Sequence, residues 1–72
     1  MRHWLIEMRV AKGWPQKKVA ELSGISRSYY SGIELGTRTP SAYKAKKIAA
    51  ALGFDWTIFF EDKGRETRHN TA

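Results

Sequence analysis

The sequence predicts an all-α fold, a compact bundle of about five short helices. Three observations carry this reading. Apolar residues recur at three- and four-residue spacing in successive segments, and no alternating run of useful length suggests a strand. Glycines 13, 24, 36 and 53 stand where those segments end, the place where a left-handed residue closes a helix. Ser26, Ser41 and Asp55 stand where the next segments begin, and their side chains can accept from the first unpaired N–H groups.

The elements follow in order. Residues 3–12 read as a helix with Trp4, Leu5, Met8 and Ala11 on its apolar side, ended by Gly13. Pro15 suits a first helical turn, where its missing N–H has no partner to lose. A second helix runs from Gln16 to Ser23 with Val19, Ala20 and Leu22 inward, and Gly24 breaks it. The third spans Ser26 to Leu35, with Tyr30 and Ile33 pointing one way. Gly36 stops it, and residues 37–40 form a loop. Ser41 caps a fourth helix reaching Leu52, with Ala45, Ile48, Ala49 and Leu52 inward. Asp55 caps a short fifth piece, Trp56 to Phe60. Residues 1–61 form one domain, and 62–72, with no apolar residue but Ala72, read as a loose tail.

Seventy-two residues allow one domain. At ~0.05–0.15 kcal/mol per residue, its stability is about 4–11 kcal/mol. With 42% hydrophobic residues, a core is expected rather than disorder. No cysteine is present, so disulfides, thiolate zinc sites and cysteine nucleophiles are excluded. No apolar run approaches the roughly 18–20 residues of a membrane span, and the charged opening segment is no signal peptide. The two histidines lack clustered carboxylates, so neither a metal site nor a catalytic triad is expected, and the chain does not read as an enzyme. The net charge is +6. Between Met8 and Phe54 nine basic residues face two acidic ones, giving +7, whereas the segments on either side sum to 0 and −1. A positive charge gathered on the middle of so small a domain points to a polyanion.

That middle stretch carries the motif. Two short helices joined by a glycine-containing turn make a helix-turn-helix. Its geometry asks for a small Ala20 where the helices cross, a left-handed Gly24 in the turn, and Ile25, Tyr30 and Ile33 to fill the angle. The run QKKVAELSGISRSYYSGIE followed by LGTRTPS, with Ala50-x-Leu52-Gly53 beyond it, resembles the Cro/repressor-type, or lambda-repressor-like, helix-turn-helix DNA-binding domains. The resemblance covers about Leu5 to Phe60.

The resemblance implies sequence-specific binding of double-stranded DNA by a transcriptional regulator, a repressor of phage or mobile-element type working in a bacterial cytoplasm. It brings no cofactor and no small-molecule ligand. A restriction–modification controller and a DNA-binding antitoxin share the fold. An adaptor that binds protein alone is a rival from another class, and it would not need the central charge.

Roles can be set residue by residue. At about 100° per residue, the face of the third helix opposite Tyr30 and Ile33 holds Ser28, Ser31 and Gly32, with Arg27 at the N-terminal end that meets bases in the major groove. Arg27 can pair with guanine O6 and N7, and Ser28 and Ser31 discriminate weakly. The resemblance implies phosphate contacts from Gln16 and the loop residues Thr37, Arg38 and Thr39. Ser26, Tyr29 and Tyr43 join this set, with Lys17 and Lys44 as outer partners. It also suggests an ion pair between Arg9 and Glu34. Gly32 departs from the family, which often has a long polar side chain there. Either the backbone comes close to DNA at Gly32, or the position adds nothing to readout.

One such helix reads few base pairs. Arg27 and two serines cannot supply the roughly 4–10 kcal/mol that separates specific from non-specific binding. A weak homodimer on a near-palindromic operator is therefore expected. The aromatics near the end exceed what a small core takes up, which makes Trp56, Ile58 and Phe60 the candidate dimer contacts.

Overall fold

Several helix ends rest on local devices that the chain carries with it, serine caps at two starts and left-handed glycines at three ends. The computed structural model describes residues 1–61, so the tail expected over 62–72 lies outside the described residues. Helix α1 spans His3–Ala11, α2 Gln16–Ser23, α3 Arg27–Leu35 and α4 Ala42–Leu52. One more helical turn, α5, covers 58–61, and no strand occurs among the described residues. Ser26 Oγ accepts from Tyr29 N–H at 3.0 Å and Ser41 Oγ from Lys44 N–H at 3.2 Å, so both serines are N-caps. Asp55 accepts from the backbone and hydroxyl of Thr57 at 3.0 and 2.8 Å, bending the chain into α5. These bonds hold the Asp55 carboxyl below its ordinary value, the backbone N–H contributing most. Pro15 is the residue just before α2, with extended backbone. Gly24 has φ 68°, and the chain turns there from α2 into α3 with Ile25 N–H returning to Ala20 C=O at 3.0 Å. A side chain at that φ would be strained.

Helix α2 packs against both α3 and α4, and α1 against α3. The core is Leu5, Val19, Ala20, Tyr30, Ile33, Ala45, Ile48, Leu52 and Phe59. Trp4 meets Phe54 and Phe59 edge-on, at 5.3 and 5.2 Å between ring centroids. The segment after α4 thereby closes over α1.

Two inward assignments on the helices are corrected. Leu22 is 51% exposed, and Ser23 takes its place in the interior at 1%. Helix α2 packs against both α3 and α4, and the edge it turns to them is formed by Val19, Ala20 and Ser23. Ala11, at the end of α1, is exposed.

Candidate nucleic-acid interface

Helix α3 divides sharply along its length. Tyr30 and Ile33 are fully buried, whereas Arg27 and Ser28 stand exposed at its N-terminal end and Ser31 is half-buried one turn on. The outward edge is therefore short and polar, with one long cation at its start.

A buried polar cluster sets how α3 sits against α1 and α2. Arg9 Nε donates to Glu34 Oε2 at 2.6 Å and Arg9 Nη2 to Oε1 at 3.2 Å, a bidentate pair. Gln16 Nε2 donates to Glu34 Oε1 at 2.8 Å, and Arg9 Nη1 donates to Trp14 C=O at 2.8 Å. The side chains of Arg9 and Glu34 are 15% and 3% exposed. Burial alone would raise the Glu34 carboxyl, but the bonds from Arg9 and then Gln16 hold it below the ordinary carboxylate value. The hydrogen bond to Glu34 raises Arg9. Tyr30 lies beside the same carboxylate, and burial first, then Glu34, pushes its phenol upward. One carboxylate at the end of α3 thus receives donors from α1 and from the first residue of α2. One of the two N–H donors of the Gln16 amide is committed to it, beside the backbone N–H groups at the start of α2.

A second anchor comes from a residue that sequence reasoning passed over. Arg2 Nη1 donates to Ile33 C=O at 2.6 Å and to Arg38 C=O at 3.0 Å, and Arg2 N–H donates to Glu34 C=O at 2.7 Å. The guanidinium also lies 5.6 Å from the centre of the Phe59 ring. A cation here meets the partial negative charge at the end of α3 and supplies further donors to carbonyls of its last turn and of the loop beyond. Nothing near Arg2 in the sequence signals this, because its partners lie 31 and 36 residues away.

The placement of Gly32 on the outward face is corrected. Gly32 is buried. The loop after α3 folds back over it, and a Cβ there would stand 3.1 and 3.2 Å from Arg38 Cδ and Cγ and 3.3 Å from Thr37 Oγ1. Gly32 C=O accepts from Thr37 N–H at 3.0 Å, Arg38 N–H at 3.2 Å and the Thr37 hydroxyl at 3.2 Å. Both donors of Thr37 turn back onto Gly32, so this residue fastens the loop to α3. Helical periodicity places Gly32 beside Ser28, but the returning loop covers it.

Several other cations lie over aromatic rings. Arg38 and Lys44 both lie over Tyr29, at 5.4 and 4.4 Å from its centroid, and Lys47 lies 5.0 Å from that of Tyr43. Lys17, Ser26, Arg38, Thr39 and Tyr43 are exposed, while Tyr29 and Lys44 are half-buried. At the far end of the chain Trp56 and Phe60 meet edge-on at 5.7 Å, with Lys46 Nζ 4.9 Å from the Trp56 ring centre. Trp56, Ile58 and Phe60 are half-buried, and Phe59 goes fully into the core.

Comparison with known proteins agrees with this architecture. A family model described as helix-turn-helix matches residues 5–59. The chain is 55% identical over 71 residues to the uncharacterized HTH-type transcriptional regulator YqaF of Bacillus subtilis (strain 168), covering 99% of this chain and 93% of that one. It is 43% identical over 68 residues to the HTH-type transcriptional regulator AnsR of the same organism, covering 94% of this chain and 56% of the relative. The HTH-type transcriptional regulator SlrR, also from Bacillus subtilis, is 41% identical over 54 residues, or 74% of this chain and 36% of its own length. No solved structure gives a significant match.

Proposed function

The chain belongs to the Cro/repressor-type helix-turn-helix family, and from that premise we propose that it is a transcriptional regulator that binds double-stranded DNA in a sequence-dependent way and represses by occupying its operator. The observation that carries this reading is the joint placement of α3 and the cations. The exposed end of α3 presents Arg27 and Ser28, while Arg38 and Lys44 converge beside it on Tyr29. A helix entering the major groove by its N-terminal end puts Arg27 on base edges, with Ser28 and Ser31 following. Lys17, Ser26, Arg38, Thr39, Tyr43 and Lys44 then meet phosphates on either side, joined by Gln16 and the N–H groups at the start of α2, while the ring of Tyr29 lies against Arg38 and Lys44. The charge of +7 between Met8 and Phe54 supports the same reading. No described helix is long and apolar enough to cross a membrane.

The operator is a near-palindrome, bound by two copies. The short polar edge of α3 offers too few base contacts for one copy to be specific, and the half-buried Trp56, Ile58 and Phe60 leave apolar surface for a second subunit. That surface is small, so the dimer is weak away from DNA. The repressor is of phage or mobile-element type.

Selection of bound duplexes from a random library tests the whole reading. The expected product is an enriched inverted repeat with half-sites about one helical turn, ~10 base pairs, apart. Recovery of no enriched sequence would overturn sequence-specific binding, and an enriched single half-site would overturn the dimer.

A further inference from the structure

Gly32 and Tyr29 share a neighbour that neither would meet through helical periodicity alone. The stem of Arg38 runs directly over Gly32, with Cδ and Cγ at 3.1 and 3.2 Å from the place a Cβ would occupy. Its guanidinium ends over the Tyr29 ring, one helical turn back along α3, 5.4 Å from the centroid. Lys44, from the first turn of α4, reaches the same ring at 4.4 Å. The backbone under Arg38 is fastened at both ends, its N–H to Gly32 C=O at 3.2 Å and its C=O to Arg2 Nη1 at 3.0 Å. Ser41 caps the helix that carries Lys44.

Resting on the DNA-binding reading above, we propose that Gly32 and the ring of Tyr29 are positioning residues, which form a seat on α3 that holds Arg38 and Lys44 together as a single two-cation clamp for one stretch of DNA phosphate. The physical reason is preorganisation. Arginine and lysine carry large rotamer entropy, which a phosphate contact otherwise has to freeze. A seated pair has already lost much of it. Two like charges drawn to one ring repel each other, and the ring's negative faces offset that repulsion until an anion arrives to meet both. The seat works only if the stem of Arg38 can lie flat on α3. A Cβ at position 32 would push that stem outward by a few tenths of an ångström, and the sequence has none there, in the middle of a helix where glycine is otherwise unfavourable. The hydroxyl of Tyr29 plays no part in this account.

Proton NMR of the free protein tests the seat without DNA. The side-chain methylenes of Arg38 and Lys44 next to their charged groups should be shifted upfield by the Tyr29 ring. In Gly32→Ala the Arg38 shift should be reduced and the Lys44 shift kept. Unshifted methylenes in the unaltered protein would overturn the seat on their own.

Binding is then measured on two duplexes of about 30 base pairs, three helical turns. One carries the sequence that the unaltered protein selects, and the other is a scrambled version. Tyr29→Phe should bind both within two-fold of the unaltered protein, roughly the scatter expected where no cation–π contact is lost. Tyr29→Leu should weaken both equally, by about ten-fold, the range two exposed cation–π contacts correspond to. Gly32→Ala should weaken both equally while melting no lower than the unaltered protein. In an Arg38→Ala/Lys44→Ala background, Tyr29→Leu should have no further effect, because a positioning residue has then nothing to position.

Tyr29→Phe as weak as Tyr29→Leu would assign the work to the hydroxyl and overturn the proposal. A loss confined to the selected duplex would make Tyr29 a base reader and overturn it too. An undiminished effect in the double background would do the same. Shifted methylenes in a protein that binds neither duplex would overturn the DNA reading, and with it the clamp's target, while the seat stood.

Discussion

Glu34→Ala should be the most damaging single substitution on the polar side of this domain. It removes the acceptor of three donors, Arg9 Nε, Arg9 Nη2 and Gln16 Nε2, at 2.6, 3.2 and 2.8 Å. Arg9 is left with the bond from Nη1 to Trp14 C=O. Breaking a buried pair by deleting one partner costs about 3–5 kcal/mol, against less than ~1 for an exposed pair. With 15% of the Arg9 side chain exposed, the orphaned guanidinium can recover some hydration, which places the cost near the lower end, about 3 kcal/mol. In a domain of this size each kcal/mol moves the melting temperature by roughly 4–8 °C, so a fall of about 12–24 °C is expected. Glu34→Gln keeps the shape and one acceptor oxygen and should fall by clearly less. Thermal unfolding followed by circular dichroism gives the comparison. A Glu34→Ala protein melting within 2–3 °C of the unaltered one, less than ~1 kcal/mol, would show that the cluster does not hold α3 in place.

Arg27→Ala should cost roughly 1–3 kcal/mol on the selected operator and much less on unrelated DNA, while Arg38→Ala should weaken both alike, as competition binding will show. Log K against log[salt] should fall linearly with a slope of about −0.9 per phosphate neutralised, and a flat plot would favour a protein-binding adaptor. Lengthening the spacer between half-sites by about five base pairs, half a helical turn, should reduce affinity to that of one half-site. The carboxyls of Glu34 and Asp55 are both held below their ordinary values. Their contribution is therefore complete above the unfolded carboxyl pKa of about 4 and is lost as pH falls through the lower folded values. Melting temperature should be level near neutrality and drop below about pH 4, and Glu34→Gln should flatten that drop.

The boundaries of the helices were legible in the sequence because the devices that set them are local. Ser26, Ser41 and Asp55 cap helices through hydrogen bonds spanning two or three residues, and Gly24 turns the chain by its own φ. The motif from Gln16 to Ser41 was legible for the same reason, since the spacing of Ala20, Gly24, Ile25, Tyr30 and Ile33 is fixed by short-range geometry. What the tertiary structure alone decided is which faces are covered and which donors are already spent. Leu22 turned outward and Ser23 inward because two other helices press on α2. Gln16 gave its amide to Glu34, 18 residues on, and Arg2 reached the end of α3 across 31. Gly32 sits on the face that periodicity assigns to solvent, yet the loop after α3 returns over it. A period of 3.6 residues places side chains around one helix axis, and says nothing about a segment that comes back from beyond the helix's end.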